Sequence, residues 1–468
     1  MTLNEVVCIS PIDGRELVRR PIMTDAALDR ALAAAREAQR HWRRVALSER
    51  KAAVLRALDA LEAMNSDIVS ELAQQMGRPV RFGGEFGGVK ERAVYMTRIA
   101  DESLAPLVPD DDRPGIRRMV KFEPVGIVLV IAPWNYPFLT AINAIVPALI
   151  AGNAVLLKHA SQTILVGERF QAAMDKAGIP AGVFQNVVLN HQQTARLLAA
   201  GEVDHCNFTG SVEGGRAIER AAAGSFTSIG LELGGKDPAY VRADADIEHA
   251  VDSIVDAAYF NSGQCCCGIE RVYVDAHHYV HFVEGVAALV SKYVLGNPLD
   301  QATTLGPMAH KRFADHVRRQ TADAIAAGAK PLIDTGVFTA DDGAAAYLAP
   351  QLLTNVSHEM GLMREESFGP VLGIMKVSGD DEAIRLMNDS PYGLTSAIWS
   401  SDVEAAEWIG QNLNTGTVFM NRADYLDPGL AWTGVKDTGR GISLSRLGYS
   451  AVTRAKSYHL RQLNHRPS

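Results

Sequence analysis

Val125-Gly-Ile-Val-Leu-Val-Ile-Ala132 runs directly into Pro133-Trp134-Asn135-Tyr136-Pro137, and the reading of this junction decides the fold. The first segment is apolar throughout, rich in β-branched residues, and too short for a membrane span. It therefore predicts a strand buried on both faces, as in a parallel sheet. Two prolines then fix a turn, and an apolar helix follows over 140–150. In open α/β sheets, ligands approach beyond the carboxyl ends of the strands, which is where Asn135 falls.

Outward from this junction the pattern repeats. Strands are expected over 153–158, 183–189, 205–209 and 229–231, with helices over 163–177, 194–200 and 211–223 between them. Upstream, 24–103 reads as helical, with Thr24 and Ser48 as candidate caps and Gly77-Arg78-Pro79 as a break. A second alternating block spans 271–421, with strands over 271–274, 371–377, 396–399 and 417–420. Its helices fall over 278–293, 312–327, 381–387 and 403–413. The fold class is α/β, with two doubly wound parallel-sheet domains and a cleft between them.

The chain has 468 residues, of which 47% are hydrophobic and 21% charged, with a net charge of -8. This is the composition of a globular protein of two or three domains, with no basic footprint for nucleic acid. Neither a signal peptide nor a membrane span is legible, so no membrane partner is expected. The five cysteines form no disulfide framework, which suggests free thiols in a cytoplasmic protein.

Three of those cysteines are adjacent, Cys265-Cys266-Cys267, after Asn261-Ser262-Gly263-Gln264. They are either small buried hydrophobes or a site for a nucleophilic thiol. Their spacing is not that of a zinc site, and no metal is expected. Glu232 interrupts the apolar, glycine-rich run Ile229–Gly235, where a carboxylate is either buried and paired or poised as a base. Asn135 either bonds its own loop or donates to a developing oxyanion.

Taken in order, Trp134-Asn135, Lys158, Gly210–Gly215, Glu232-Leu-Gly-Gly-Lys236, Gln264-Cys-Cys266 and Glu366-Ser-Phe368-Gly-Pro370 resemble the motifs of the aldehyde dehydrogenase superfamily. The resemblance spans about 4–461 and points to the hydrolytic, non-CoA-acylating branch, with succinate-semialdehyde-dehydrogenase-like sequences among the relatives. It implies that Cys266 is the nucleophile, Glu232 the base and Asn135 the oxyanion donor. Loss of the base typically accompanies thiolysis by CoA, so Glu232 speaks for hydrolysis. A cysteine hydrolase would want an orienting histidine, and no motif supplies one.

The resemblance further implies NAD or NADP as cofactor. Ile131, Ala132, Pro133, Trp134 and Leu233 would border it, and Lys158 and Ser161 would face the adenosine ribose. Gly210, Ser211 and Gly215 would hold the pyrophosphate at a helix start. Glu366 and Phe368 would meet the nicotinamide ribose and ring. Many relatives carry glutamate where Ser161 stands, so NADP is expected to be accepted besides NAD. Trp432 replaces a phenylalanine of the family signature.

Expected substrate-tunnel residues are Tyr136, Phe138, Asn143, Phe260, Cys265, Cys267, Asp424, Tyr425 and Trp432. Their aromatic character favours an apolar or aromatic aldehyde. Arg422 is the nearby cation that would instead suit a semialdehyde carboxylate, or it is simply a surface residue. The expected domains are 1–116 with 127–235 for the dinucleotide and 236–425 for the nucleophile. By the same resemblance the remaining pieces, 117–126 and 450–468, are expected to form a β flap that joins a homodimer or homotetramer.

Overall fold

A computed structural model describes residues 5–463, so the ends of the outermost expected segments lie outside the described residues. The strand Ile127–Ala132 is buried at every position, and its side chains alternate between two cores. Val128, Val130 and Ala132 meet the helices Leu47–Glu62, Phe86–Ser103 and Pro137–Ala151, whereas Ile127, Leu129 and Ile131 meet Leu28, Leu32 and Leu197. A strand buried on both faces has no polar side, which explains the continuous apolar run.

Six strands form this first sheet, in the order Gly439–Arg440, Ser228–Glu232, His205–Thr209, Ile127–Ala132, Ala154–His159 and Phe184–Asn186. All pairings are parallel except that of the short return strand Gly439–Arg440. The expected strand over 183–189 is trimmed to Phe184–Asn186. Thr24 caps its helix as expected, by accepting from Ala27 N, but Ser48 does not cap. The second helix starts at Leu47 after Ala46, with no side-chain cap.

Seven strands form the second sheet, in the order Lys330–Pro331, Gln351–Thr354, Val371–Val377, Ile269–Asp275, Asp237–Val241, Thr395–Trp399 and Thr417–Met420. The inner strand Asp237–Val241 escapes the sequence pattern, because Asp237-Pro238 breaks its apolar run. Asp237 is buried there and accepts from Thr395 N and Oγ1, at 3.1 and 2.6 Å. The helix Ile247–Tyr259, capped by Asp246, is also absent from the sequence expectation.

A third unit is a ribbon of Ile116–Pro124 paired antiparallel with Thr453–Arg461, from Thr453↔Pro124 to Arg461↔Ile116. Among the described residues no helix is long and apolar enough to cross a membrane.

Candidate active site

The cysteines enter on a sharp turn. Asn261, Ser262 and Gly263 are consecutive left-handed residues, with φ of 53°, 57° and 69°. A Cβ on Gly263 would meet Gly369 O at 2.3 Å, so only glycine fits. Gln264 locks the turn by accepting from Ala309 N through Oε1, at 2.8 Å. Cys266 is half-buried and opens on the cleft, while Cys265 and Cys267 are buried.

Asn135 follows the strand Ile127–Ala132, and its Nδ2 donates to Gln264 O at 3.2 Å. It thus reaches across to the cysteine loop instead of bonding its own. Arg78, buried with Glu85, holds the Asn135 main chain by donating to Asn135 O at 2.5 Å. Glu85 in turn accepts from Phe138 N and Leu139 N at the start of the next helix. Glu232 ends the strand Ser228–Glu232, one strand removed, accepting from Ser443 Oγ at 2.6 Å and Thr209 Oγ1 at 3.2 Å. Sequence reasoning finds none of Arg78, Glu85, Thr209 or Ser443 in these roles, because long-range pairing leaves no local pattern.

The protonation states follow from these surroundings. The flanking Cys265 and Cys267 thiols hold the Cys266 thiol below the ordinary cysteine range, although burial opposes them. Burial lifts the Glu232 carboxyl above its usual range, and the Ser443 and Thr209 hydroxyls offset part of that rise. Burial, with the charge of Glu270, lifts Glu366 to about 8.

Asn135, Glu232 and Cys266 border one cleft of ≈ 970 Å³. The same cleft is bordered by Ile131, Ala132, Pro133, Trp134, Lys158, Ser161, Gly210, Ser211, Leu233, Glu366 and Phe368. Gly215 is a correction to the expected set. It sits inside the helix Val212–Ala222, where a Cβ would strike Leu233 at 2.7 Å, and Gly214 borders the cleft in its stead. Ser211 Oγ accepts from Gly214 N as the helix cap, which leaves its hydroxyl proton free. Trp134 stacks on Phe313 at 5.0 Å and meets the Phe368 edge at 5.6 Å, forming an aromatic wall. Phe368 has φ of 51°, and Glu270 holds it by accepting from Ser367 N and Phe368 N while pairing with the buried Lys236.

The expected tunnel set divides. Cys265, Cys267 and Trp432 share one apolar cluster, with Tyr136 packed against it. Asp424 Oδ1 accepts from both flanking thiols at 3.1 Å, and burial keeps its carboxyl well above the usual range. Asn143 is buried beside Arg92. Three positions are corrected. Phe138 points into the core against Phe170, at 5.2 Å, because it occupies the core-facing side of its helix. Phe260 turns to Phe82 at 5.0 Å. Tyr425 lies outside, donating to the exposed Glu91, with the Arg422 guanidinium 3.9 Å above its ring.

Two parallel sheets that meet at a cleft holding a thiol, an amide and a carboxylate define an α/β enzyme of the thiol-nucleophile type. The model of the aldehyde dehydrogenase family matches residues 2–458, and the chain belongs to that family. A geranial dehydrogenase of Castellaniella defragrans is 35% identical over 446 residues, covering 94% of this chain and 92% of the relative. The NADP(+) succinate-semialdehyde dehydrogenase of Mycobacterium avium is 31% identical over 461 residues, covering 97% and 96%. A solved indole-3-acetaldehyde dehydrogenase in complex with NAD+ superposes with a TM-score of 0.93 at 30% identity, covering 98% of this chain and 94% of that one.

Proposed function

We propose that the protein oxidises an aldehyde to its carboxylate through Cys266, using a nicotinamide dinucleotide as hydride acceptor. The observation that carries this reading is the convergence of Cys266, Asn135 and Glu232 on one cleft that also receives a helix N-terminus. The residues present fit a dinucleotide. A Cβ on Gly210 or Gly214 would strike the Phe208 ring at 2.8 or 2.6 Å, so bare backbone lies beside Ser211 at the positive end of the helix. Lys158 and Ser161 would hold the adenosine ribose and Glu366 the nicotinamide ribose, with Phe368 against the ring.

The Cys266 thiolate attacks the aldehyde carbon to give a thiohemiacetal, whose oxyanion takes hydrogen bonds from Asn135 Nδ2 and the Cys266 N–H. The Asn135 amide has a second proton beyond the one given to Gln264, and the Cys266 N–H has no acceptor among the described residues. The dinucleotide, when bound, supplies the hydride acceptor that turns this carbon into a thioester. Glu232 then takes a proton from water as the water attacks, and Cys266 departs as thiolate. Ser443 and Thr209 hold the carboxylate in place for that transfer.

Ser161 places a hydroxyl, not a carboxylate, beside Lys158, which favours acceptance of NADP together with NAD. Initial rates with both dinucleotides test this, and the S161E substitution should depress the NADP rate about tenfold or more relative to NAD. Strict use of NAD by the unaltered protein contradicts it. The exposed outer strand Thr453–Arg461 offers unpaired backbone, which supports a homodimer or homotetramer built through this ribbon. The free thiols of all five cysteines agree with a cytoplasmic setting.

A further inference from the structure

Arg92 is a buried cation without a counter-ion. It lies on the helix Phe86–Ser103 at 8% exposure, and its Nη1 donates to Leu139 O at 3.1 Å and Asn143 Oδ1 at 3.3 Å. Both acceptors are neutral. Among the described residues no carboxylate stands at ion-pairing distance, although the charges of Cys267, Glu85, Glu232 and Asp424 reach it. A guanidinium taken out of water without a charged partner is costly, and whereas buried Arg50 and Arg271 use Nε as well as Nη donors on main-chain carbonyls, Arg92 makes both of its bonds through Nη1.

Two further buried donors stand unpaired, one in contact with Arg92 and one that shares Cys267 and Asp424 with it as neighbours. Asn143, at 3% exposure, gives its Oδ1 to Arg92 and leaves Nδ2 buried with no acceptor. The Tyr136 hydroxyl is also buried without a partner. Tyr136 packs against the apolar cluster that holds Cys265, Cys267 and Trp432, the chain neighbours Ala93, Ile142 and Ala144 of Arg92 and Asn143 belong to it, and none of the three donors borders the dinucleotide cleft. Asp424 does not answer them. Burial lifts its carboxyl well above the usual range, and its Oδ1 already accepts from two thiols. Arg422, the cation visible in the sequence, is exposed and stacked on Tyr425.

We infer that Arg92, Asn143 and Tyr136 form an anion subsite, and that the preferred aldehydes carry a carboxylate remote from the carbonyl. A carboxylate offers two oxygens and four lone-pair positions, which matches a set of donors that lacks acceptors. Its body is apolar, to suit Trp432 and the flanking cysteines. This specificity rests on the oxidation proposed above. It also revises the apolar or aromatic aldehyde expected from sequence, because the deciding cation sits on a helix far from every motif.

Matched pairs of aldehydes test the subsite: succinic semialdehyde against butanal, and carboxybenzaldehyde against its methyl ester. In at least one pair the carboxylate member should show a kcat/KM about 30-fold higher, carried mainly by KM. The pair that responds tells an aliphatic from an aromatic acid. R92Q should abolish that preference, with R92K restoring part of it. Binding without turnover gives a second readout, since succinate or benzoate should raise the Tm of the unaltered protein and not of R92Q. Equal rates within both pairs, or R92Q lowering both members of a pair alike, would overturn the subsite. If no aldehyde is oxidised, the proposed reaction fails, whereas an acid-dependent Tm shift that R92Q removes still upholds the subsite.

Discussion

Cys266 lies between two thiols that do different work from it. Cys265 and Cys267 donate to one Asp424 oxygen and stay buried, while Cys266 faces the cleft with its thiol shifted toward the thiolate. The sign of that shift predicts a pH dependence. Because the acid form of Cys266 loses its proton below the ordinary range, the reactive thiolate survives at pH values where an unperturbed cysteine, with a pKa of about 8.5, is already protonated. Alkylation by iodoacetamide, followed by peptide mass spectrometry across pH, should therefore give a half-maximal rate for Cys266 well below about pH 8.5. Cys8 and Cys206, which burial pushes to about 12, should remain unmodified in the folded protein. A Cys266 profile at the ordinary thiol position would show that its neighbours do not tune it.

At the scale of elements, the loop Glu366–Pro370 depends on one buried ion pair. Lys236 Nζ lies 2.6 Å from Glu270 Oε2, and Glu270 also accepts from Ser367 N and Phe368 N, each at 2.8 Å. E270Q leaves the Lys236 charge buried without its partner, so it should cost about 3–5 kcal/mol of stability. It should also weaken dinucleotide binding, as Phe368 loses its left-handed anchor. Thermal unfolding and dinucleotide titration of E270Q check both effects, and an unchanged Tm would contradict the role given to the pair. Neither Glu270 nor Lys236 is legible as an anchor in the sequence, because Glu270 meets main-chain groups 97 and 98 residues away and Lys236 meets side chains 34 and 131 residues away. The strands that flank the cleft were legible for the opposite reason. Ile127–Ala132 carries its burial as an unbroken apolar run, and Val371–Val377 does so as far as Met375. Asp237–Val241, equally buried, hides behind Asp237-Pro238. The three polar residues of the site surfaced only because several motifs fell in one order. Arg92 belongs to no motif and emerges only from its packing.

At the scale of the whole molecule, the ribbon Ile116–Pro124 with Thr453–Arg461 is the element with an edge to spare. We propose that this edge pairs with a second copy of the chain. Removing residues 453–468 should reduce the mass seen by light scattering to that of a monomer, and an unaltered mass would place the interface elsewhere. The same scale carries the central claim. One half of the chain supplies Asn135 and Glu232 and the other supplies Cys266, so the site exists only where the two sheets meet. The most direct measurement mixes protein, dinucleotide and an aldehyde panel, follows formation of the reduced dinucleotide, and quenches in acid for mass spectrometry. An acyl adduct is expected on the peptide bearing the three cysteines in E232Q. C266A should lose about a thousandfold or more of the rate, while C265A keeps measurable turnover. Reduced dinucleotide formed by C266A at a rate near that of the unaltered protein would contradict it.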